Sequence, residues 1–128
     1  FFFDLCILCF LIGNNDMHLK NFSMIKSESG WILAPAYDLL NVTIALPEDK
    51  EELALTLSGK KRKLERKHFE VLAESLTLNP KQVAGSFERM LKSRSTTEVW
   101  IEKSFLSDKM KAAYAEVIDE RYRRLDLA

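Results

Sequence analysis

The chain has 128 residues, 47% of them hydrophobic, with 19 basic and 19 acidic side chains. That length supports one domain with a true core, and the zero formal net charge excludes bulk attraction to nucleic acid or to an anionic membrane. The average conceals a split: residues 1–59 hold three Lys against eight Asp and Glu (−5), and residues 60–128 hold the other sixteen cations against eleven acids (+5).

Phe1 to Ile12 is apolar on every side except at Asp4, which predicts a helix buried all round. Periodicity alone leaves a buried strand open. Twelve residues are too few to span a bilayer, and no basic residue precedes them as in a signal peptide. Cys6 and Cys9, the only cysteines, sit inside this run with no second pair and no nearby His. They are expected to be core thiols rather than zinc or redox groups, in a reducing cytoplasm. The chain lacks an initiating Met, which predicts a piece of a longer protein.

Gly13-Asn14-Asn15 ends the first element, and Asp16 to Asn21 is a predicted loop. Phe22–Lys26 and Trp31–Ala34 read as two short strands joined by Ser27-Glu28-Ser29-Gly30. Pro35 ends the second strand. Asn41–Glu52 is acidic and irregular, a surface loop with a helical turn. Leu53–Leu57 alternates like a strand and stops at Ser58-Gly59.

From Leu64 the pattern is helical. Phe69, Leu72, Ala73 and Leu76 share one face. Asn79-Pro80 caps a second helix with an apolar stripe of Val83, Phe87, Met90 and Leu91. Ser95-Thr96-Thr97-Glu98 predicts a fresh start, for a short helix carrying Val99, Trp100 and Ile101. Ser107 caps the last helix, with Met110, Ala113, Tyr114, Val117, Ile118 and Tyr122 on one side and basic residues at its end. The expected fold is mainly α (α+β), one domain over residues 1–128 with a small β-hairpin near its front.

Two islands carry the chemistry. Asp16, His18, Lys20 and Asn21 crowd into six residues, and Asp38 follows one hairpin later. Phosphoryl transfer needs a carboxylate near the attacking hydroxyl and hard oxygen ligands for Mg²⁺, of which the protein supplies one or two. Asp16 is the candidate base, and Asn21 and Asp38 are candidate metal ligands. Each has a plain alternative: Asp16 as a turn former, Asn21 as an ordinary residue before a strand, Asp38 as a cap. Their joint occurrence around one hairpin is what singles them out. His18 could hold the loop by hydrogen bonds or touch phosphate, and Lys20 could pair with phosphate or stay solvated. Tyr37 is expected to pack beside the turn, His68 to lie at the surface, and Lys60–Lys63 to form a solvated turn without nucleic-acid contact.

Asn15-Asp16-Met17-His18-Leu19-Lys20-Asn21-Phe22-Ser23, followed by Ala34-Pro35-Ala36-Tyr37-Asp38-Leu39-Leu40, resembles the C-terminal lobe of HipA-like kinases, the toxins of bacterial toxin–antitoxin pairs. Leu53–Lys60 and the helices after it are similar to the same lobe, so the resemblance spans the chain. A more distant likeness is to lipid kinases, through Asp-x-His-x-x-Asn. The resemblance implies Asp16 as the catalytic-loop aspartate, Asn21 and Asp38 as Mg²⁺ ligands, and His18 and Lys20 near the phosphates. It implies ATP and Mg²⁺ as cofactors and Ser/Thr of a protein as acceptor, with aminoacyl-tRNA synthetases among the family's targets. It also implies a DNA-binding antitoxin as partner. Met17 departs from the family, which often has Arg there, and removes a charge beside the site. The sequence also shows no Gly-rich phosphate loop or strand lysine; its four glycines stand singly. The expectation is a half-site, inactive without an N-terminal lobe in cis or in trans. The competing expectations are a non-catalytic protein-binding module and the lobe of a small-molecule phosphotransferase.

Overall fold

A helix with no polar face must be surrounded, and in the computed structural model, which describes residues 1–127, the first helix is. Helix α1 (Phe2–Leu11) buries Phe3, Leu5, Ile7, Cys9, Phe10 and Leu11. It packs against α3 (Arg66–Ser75), α4 (Pro80–Lys103) and α5 (Asp108–Arg124). Burial pushes both thiols, Cys6 and Cys9, up to about 12, the behaviour of core residues rather than nucleophiles. Strands β1 (Met24–Ser27) and β2 (Gly30–Leu33) form an antiparallel hairpin with Met24 opposite Leu33 and Ser27 opposite Gly30. The short helix α2 (Val42–Ala45) packs on α5. The fold is therefore mainly helical with one small hairpin, as expected.

The caps follow local chemistry. Asn79 Oδ1 accepts from the Gln82 N–H while Gln82 Oε1 accepts from the Asn79 N–H, with Pro80 at the first helical position. Ser107 Oγ accepts from the Met110 N–H. The Tyr122 hydroxyl crosses from α5 to donate to the Met90 carbonyl at 2.8 Å.

Five expectations are overturned. No helix starts at Ser95: α4 runs unbroken from Pro80 to Lys103. The hydroxyls around this point turn back along the helix instead. Ser93 Oγ donates to the Met90 carbonyl and Thr97 Oγ1 to the Ser93 carbonyl. Its apolar stripe is also narrower, since Leu91, Val99 and Trp100 are exposed. Leu53–Leu57 is not a strand: only Leu57 pairs, with Lys60, across a turn whose Ser58 and Gly59 both have positive φ. Leu53 and Leu57 both point into the core, and Thr56 between them is exposed. His68 is buried, and its Nδ1 accepts the Glu65 N–H at 2.9 Å to begin α3. Tyr37 is exposed rather than packed.

The acidic loop is anchored from within by one carboxylate. Glu52 accepts from Arg124 Nη1 and Nη2 at 2.8 and 2.9 Å and from the Leu64 N–H at 2.8 Å. Arg121 Nη1 lies 3.7 Å from the same carboxylate. Both guanidinium groups stack over the Phe10 ring, at 4.6 and 5.3 Å from its centre. Burial alone would raise the Glu52 pKa. The Arg124 and Leu64 hydrogen bonds and the two cations outweigh it and hold the carboxyl below its ordinary value. Such a group stabilises the fold above its unfolded-chain pKa, and that contribution drains away as the pH falls toward the folded value. The urea midpoint of the wild type should therefore drop below about pH 4.5, and Glu52→Gln should remove that component of the drop. At neutral pH, Glu52→Ala removes the inner partner of two cations, leaving them the half-exposed Glu120, and should cost roughly 2–4 kcal/mol; a loss under about 1 kcal/mol would show the pair to be solvated.

Candidate active site

Two devices shape the loop between α1 and β1. At Gly13, φ is +71° and the carbonyl accepts from Val42 N–H, Thr43 N–H and Thr43 Oγ1. A Cβ there would meet Asn41 Oδ1 at 2.8 Å, so glycine is required by both conformation and space. Asn14, fully buried, then accepts the Asp16 N–H on its Oδ1 at 3.1 Å. Asn15, 7% exposed, donates Nδ2 to Asp49 Oδ2 and to the Glu51 carbonyl, both at 3.0 Å. These two asparagines are site residues that the Asp-x4-Asn pattern does not reveal.

Asp16 follows, with its side chain exposed. The Asp16 carbonyl accepts from the His18 N–H and from Asn21 Nδ2, at 2.9 and 3.1 Å. A 3-10 turn over Leu19–Asn21 brings the Asn21 side chain back over the loop. On the far side of the hairpin, Tyr37 donates its hydroxyl to the Lys20 carbonyl at 3.3 Å. Asp38 adopts φ +55°, which suits Asp better than most residues. Its Oδ2 lies 3.5 Å from Asn21 Nδ2. The hairpin thus brings Asn21 and Asp38 together across seventeen residues, with Asp16 tied to the pair through the main chain. His18 and Lys20 are exposed on the same loop.

Met17 does not sit beside these groups. Its side chain is 4% exposed and, with Phe2, Leu5, Cys6 and Phe22, lines an apolar cavity of about 100 Å³ under the loop. The expected loss of a charge next to the site is corrected accordingly: position 17 faces inward. The outer surface is unlike the inside. The hairpin has apolar side chains open on both faces, with Ile25 and Ile32 on one and Met24 and Trp31 on the other, and Leu39 and Leu40 follow it exposed.

The Asn21–Asp38 pair could contribute two side-chain oxygens to a hard cation. Nitrogen and oxygen of an amide are distinguished only by their hydrogen bonds. As it stands, Asn21 turns its Nδ2 to both the Asp16 carbonyl and Asp38; holding a divalent ion would require the amide to turn over, giving up the Asp16 bond so that Oδ1 faces the ion beside the Asp38 carboxylate. Among the described residues no group of three or more His, Cys, Asp and Glu stands together for a metal. A site here would complete its shell with phosphate oxygens and water.

Residues 1–100 match the family model described as HipA-like C-terminal domain, and the chain belongs to that family. Its curated relatives include two proteins of Sinorhizobium fredii (strain NBRC 101917 / NGR234). "Putative kinase Y4dM" is 37% identical over 125 residues, covering 91% of this chain and 28% of that protein. "Putative kinase Y4mE" is 40% identical over 54 residues, covering 42% of this chain and 13% of that protein. The chain spans little more than a quarter of the longer-matching relative. Among solved structures, a HipA chain in the complex of the Shewanella oneidensis MR-1 toxin–antitoxin system HipA, HipB and its operator DNA superposes with a TM-score of 0.75. That match has 20% identity, over 94% of this chain and 30% of that one, a likeness of fold. No helix among the described residues is long and apolar enough to cross a membrane.

Gly13→Ala should destabilise the chain by roughly 1–2 kcal/mol from the left-handed backbone alone, and by more from the Asn41 contact. Asn41 also caps α2, accepting the Ile44 N–H on its Oδ1, so Asn41→Ala carries its own loss; measured against Asn41→Ala, the Gly13→Ala penalty in a urea titration should be smaller than against wild type. Equal stability of Gly13→Ala and wild type would mean the loop is not fixed at this point.

Proposed function

We propose that this chain is the base-and-metal half of an ATP- and Mg²⁺-dependent protein Ser/Thr kinase, residues 1–128 forming its C-terminal lobe. The observation that carries it is the convergence of Asn21 and Asp38 at 3.5 Å, with the Asp16 main chain bonded to the same Asn21 amide. The relatives named as kinases support the reaction class.

Asp16 accepts the proton of the acceptor hydroxyl on a carboxylate oxygen, making that hydroxyl a better nucleophile. Asn21 and Asp38 hold the cation, and Lys20 offers a mobile point charge to phosphate. His18 fixes the loop by main-chain bonds at both its N–H and its carbonyl, and leaves its ring free toward the open side. Mg²⁺-ATP, when bound, supplies the phosphoryl group and neutralises its charge. The clamp on the nucleotide comes from an N-terminal lobe elsewhere in the full-length protein. The relatives' greater length and the uncovered apolar hairpin support that division. The S. oneidensis complex supports an antitoxin protein as partner and a toxin role; an aminoacyl-tRNA synthetase is the acceptor class the family resemblance favours.

Two measurements test this proposal. In the full-length protein, Asp16→Asn should lower phosphotransfer to protein Ser/Thr by at least about a hundredfold, the usual scale for a positioned proton acceptor. Undiminished transfer would remove Asp16 from the mechanism, and labelled small molecules in place of protein would favour a small-molecule phosphotransferase. Calorimetry of Mg²⁺-ATP with the 128-residue chain should show no binding heat. Metal-dependent binding that disappears in Asp38→Ala would confirm the ligand and overturn the need for a second lobe. A full-length protein that binds no nucleotide would be a binding module.

A further inference from the structure

Asn15 is tied to a preformed socket. Asp49 is itself fixed: its Oδ1 accepts the Glu51 N–H at 3.0 Å and its N–H donates to the Leu46 carbonyl at 3.0 Å. That leaves Asp49 Oδ2 and the Glu51 carbonyl side by side, and the Asn15 amide donates to both at 3.0 Å. The next residue, Glu52, is bolted to α5 by Arg124. On the other side of Asn15, the peptide runs straight into Asp16. A continuous set of bonds therefore runs from α5 through Glu52, the acidic turn and Asn15 to the residue that carries the exposed carboxylate. Asn15 is nearly buried, and both of its bonds span more than thirty residues of sequence.

We propose that Asn15 is the positioning residue of the site: docked on Asp49 and Glu51, it sets where the Asp16 carboxylate stands relative to the acceptor hydroxyl. This rests on Asp16 acting as the proton acceptor. It assigns Asp49, an exposed acid on a surface turn, a second role as the carboxylate that orients Asn15. Displacement of a reacting group by an ångström is enough to cost two orders of magnitude in rate. The linkage should therefore act mainly on kcat, with a smaller effect on the KM for Mg²⁺-ATP, because Asn21 meets the Asp16 carbonyl rather than its carboxylate and Asp38 is held from the other side of the hairpin.

The test compares wild type, Asn15→Asp, Asp49→Asn and the double variant in the longest natural polypeptide that contains this sequence. Asn15→Asp sets a carboxylate against the Asp49 carboxylate and the Glu51 carbonyl; the double variant restores the bond to residue 49 with its direction reversed and leaves the Glu51 carbonyl without its donor. Expected are a fall in kcat of roughly ten- to a hundredfold for Asn15→Asp with a smaller change in KM for Mg²⁺-ATP, and a partial recovery of kcat in the double variant. Amide hydrogen exchange at Asp16 and Met17 should speed up in Asn15→Asp and slow again in the double variant. An unchanged kcat in Asn15→Asp, or a double variant no better than Asn15→Asp while both remain folded, would overturn the proposal. Should Asn15→Asp not fold, Asp49→Ala, on the exposed turn, carries the same expectation for kcat and for exchange. A wild type without phosphotransfer would defeat the kinase assignment and catalytic positioning with it; loop exchange unmoved by Asn15→Asp would defeat the linkage itself, whatever the activity.

Discussion

The structure depends on the Glu52 carboxylate more than on any other polar group. It is a charge taken out of water, tolerated because Arg124 meets it with two hydrogen bonds, Arg121 stands near it and Leu64 gives it an N–H. Around it, four segments that share no sequence neighbourhood are fixed together. These are the acidic turn, the start of α3, the end of α5 and, through the Phe10 ring beneath the guanidinium groups, α1. A buried ion pair is a poor source of net stability beside apolar packing. What it supplies here is geometry, because the long loop from Ala34 to Glu65 has little secondary structure of its own and would otherwise have no fixed height above the core.

The site inherits that geometry from two directions. The apolar side of the loop between α1 and β1, at Met17 and Phe22, rests on α1 and on Leu53 and Leu57. Its polar side hangs from main-chain carbonyls and three asparagines: Asn14, Asn15 and Asn21. Asparagine suits this task because one side chain both donates and accepts and carries no charge to compete with Asp16 and Asp38. The acidic character of the first 59 residues is thus partly structural, in Asp49 and Glu52, and partly at the open site.

What could be read from the sequence was local. The loop, the hairpin and Asp38 follow one another closely along the chain, and their turn and strand signals are strong enough to place Asn21 near Asp38. The apolar helix, the Asn79-Pro80 and Ser107 caps and the basic end of α5 follow from the same kind of short-range rule. The contacts that position the loop did not show, because they are long-range: Asn15 to Asp49 spans 34 residues and Glu52 to Arg124 spans 72. The expectations that failed fell on residues whose short-range chemistry has two outlets. Ser and Thr at 93–97 cap a helix or bond back along it, and His68, flanked by charges, turns inward to begin α3. Leu53–Leu57 alternates in sequence, but the Ser58-Gly59 turn and the core select positions 53 and 57.

The hairpin also works as a ruler. Its register, Met24 against Leu33 through Ser27 against Gly30, is what sets Asn21 opposite Asp38. A slip by one residue would carry Asp38 roughly 3.3 Å along the strand and reverse the faces of every side chain beyond the turn. Residues added at the far tip, Glu28-Ser29, would lengthen the ruler without moving its zero, since Asn21 and Asp38 stand at the opposite end. The tip is therefore the place where this fold can accept a graft, such as an epitope or a fluorophore-bearing loop. The rungs nearest Asn21 and Asp38 are where an insertion of even one residue would pull the two apart.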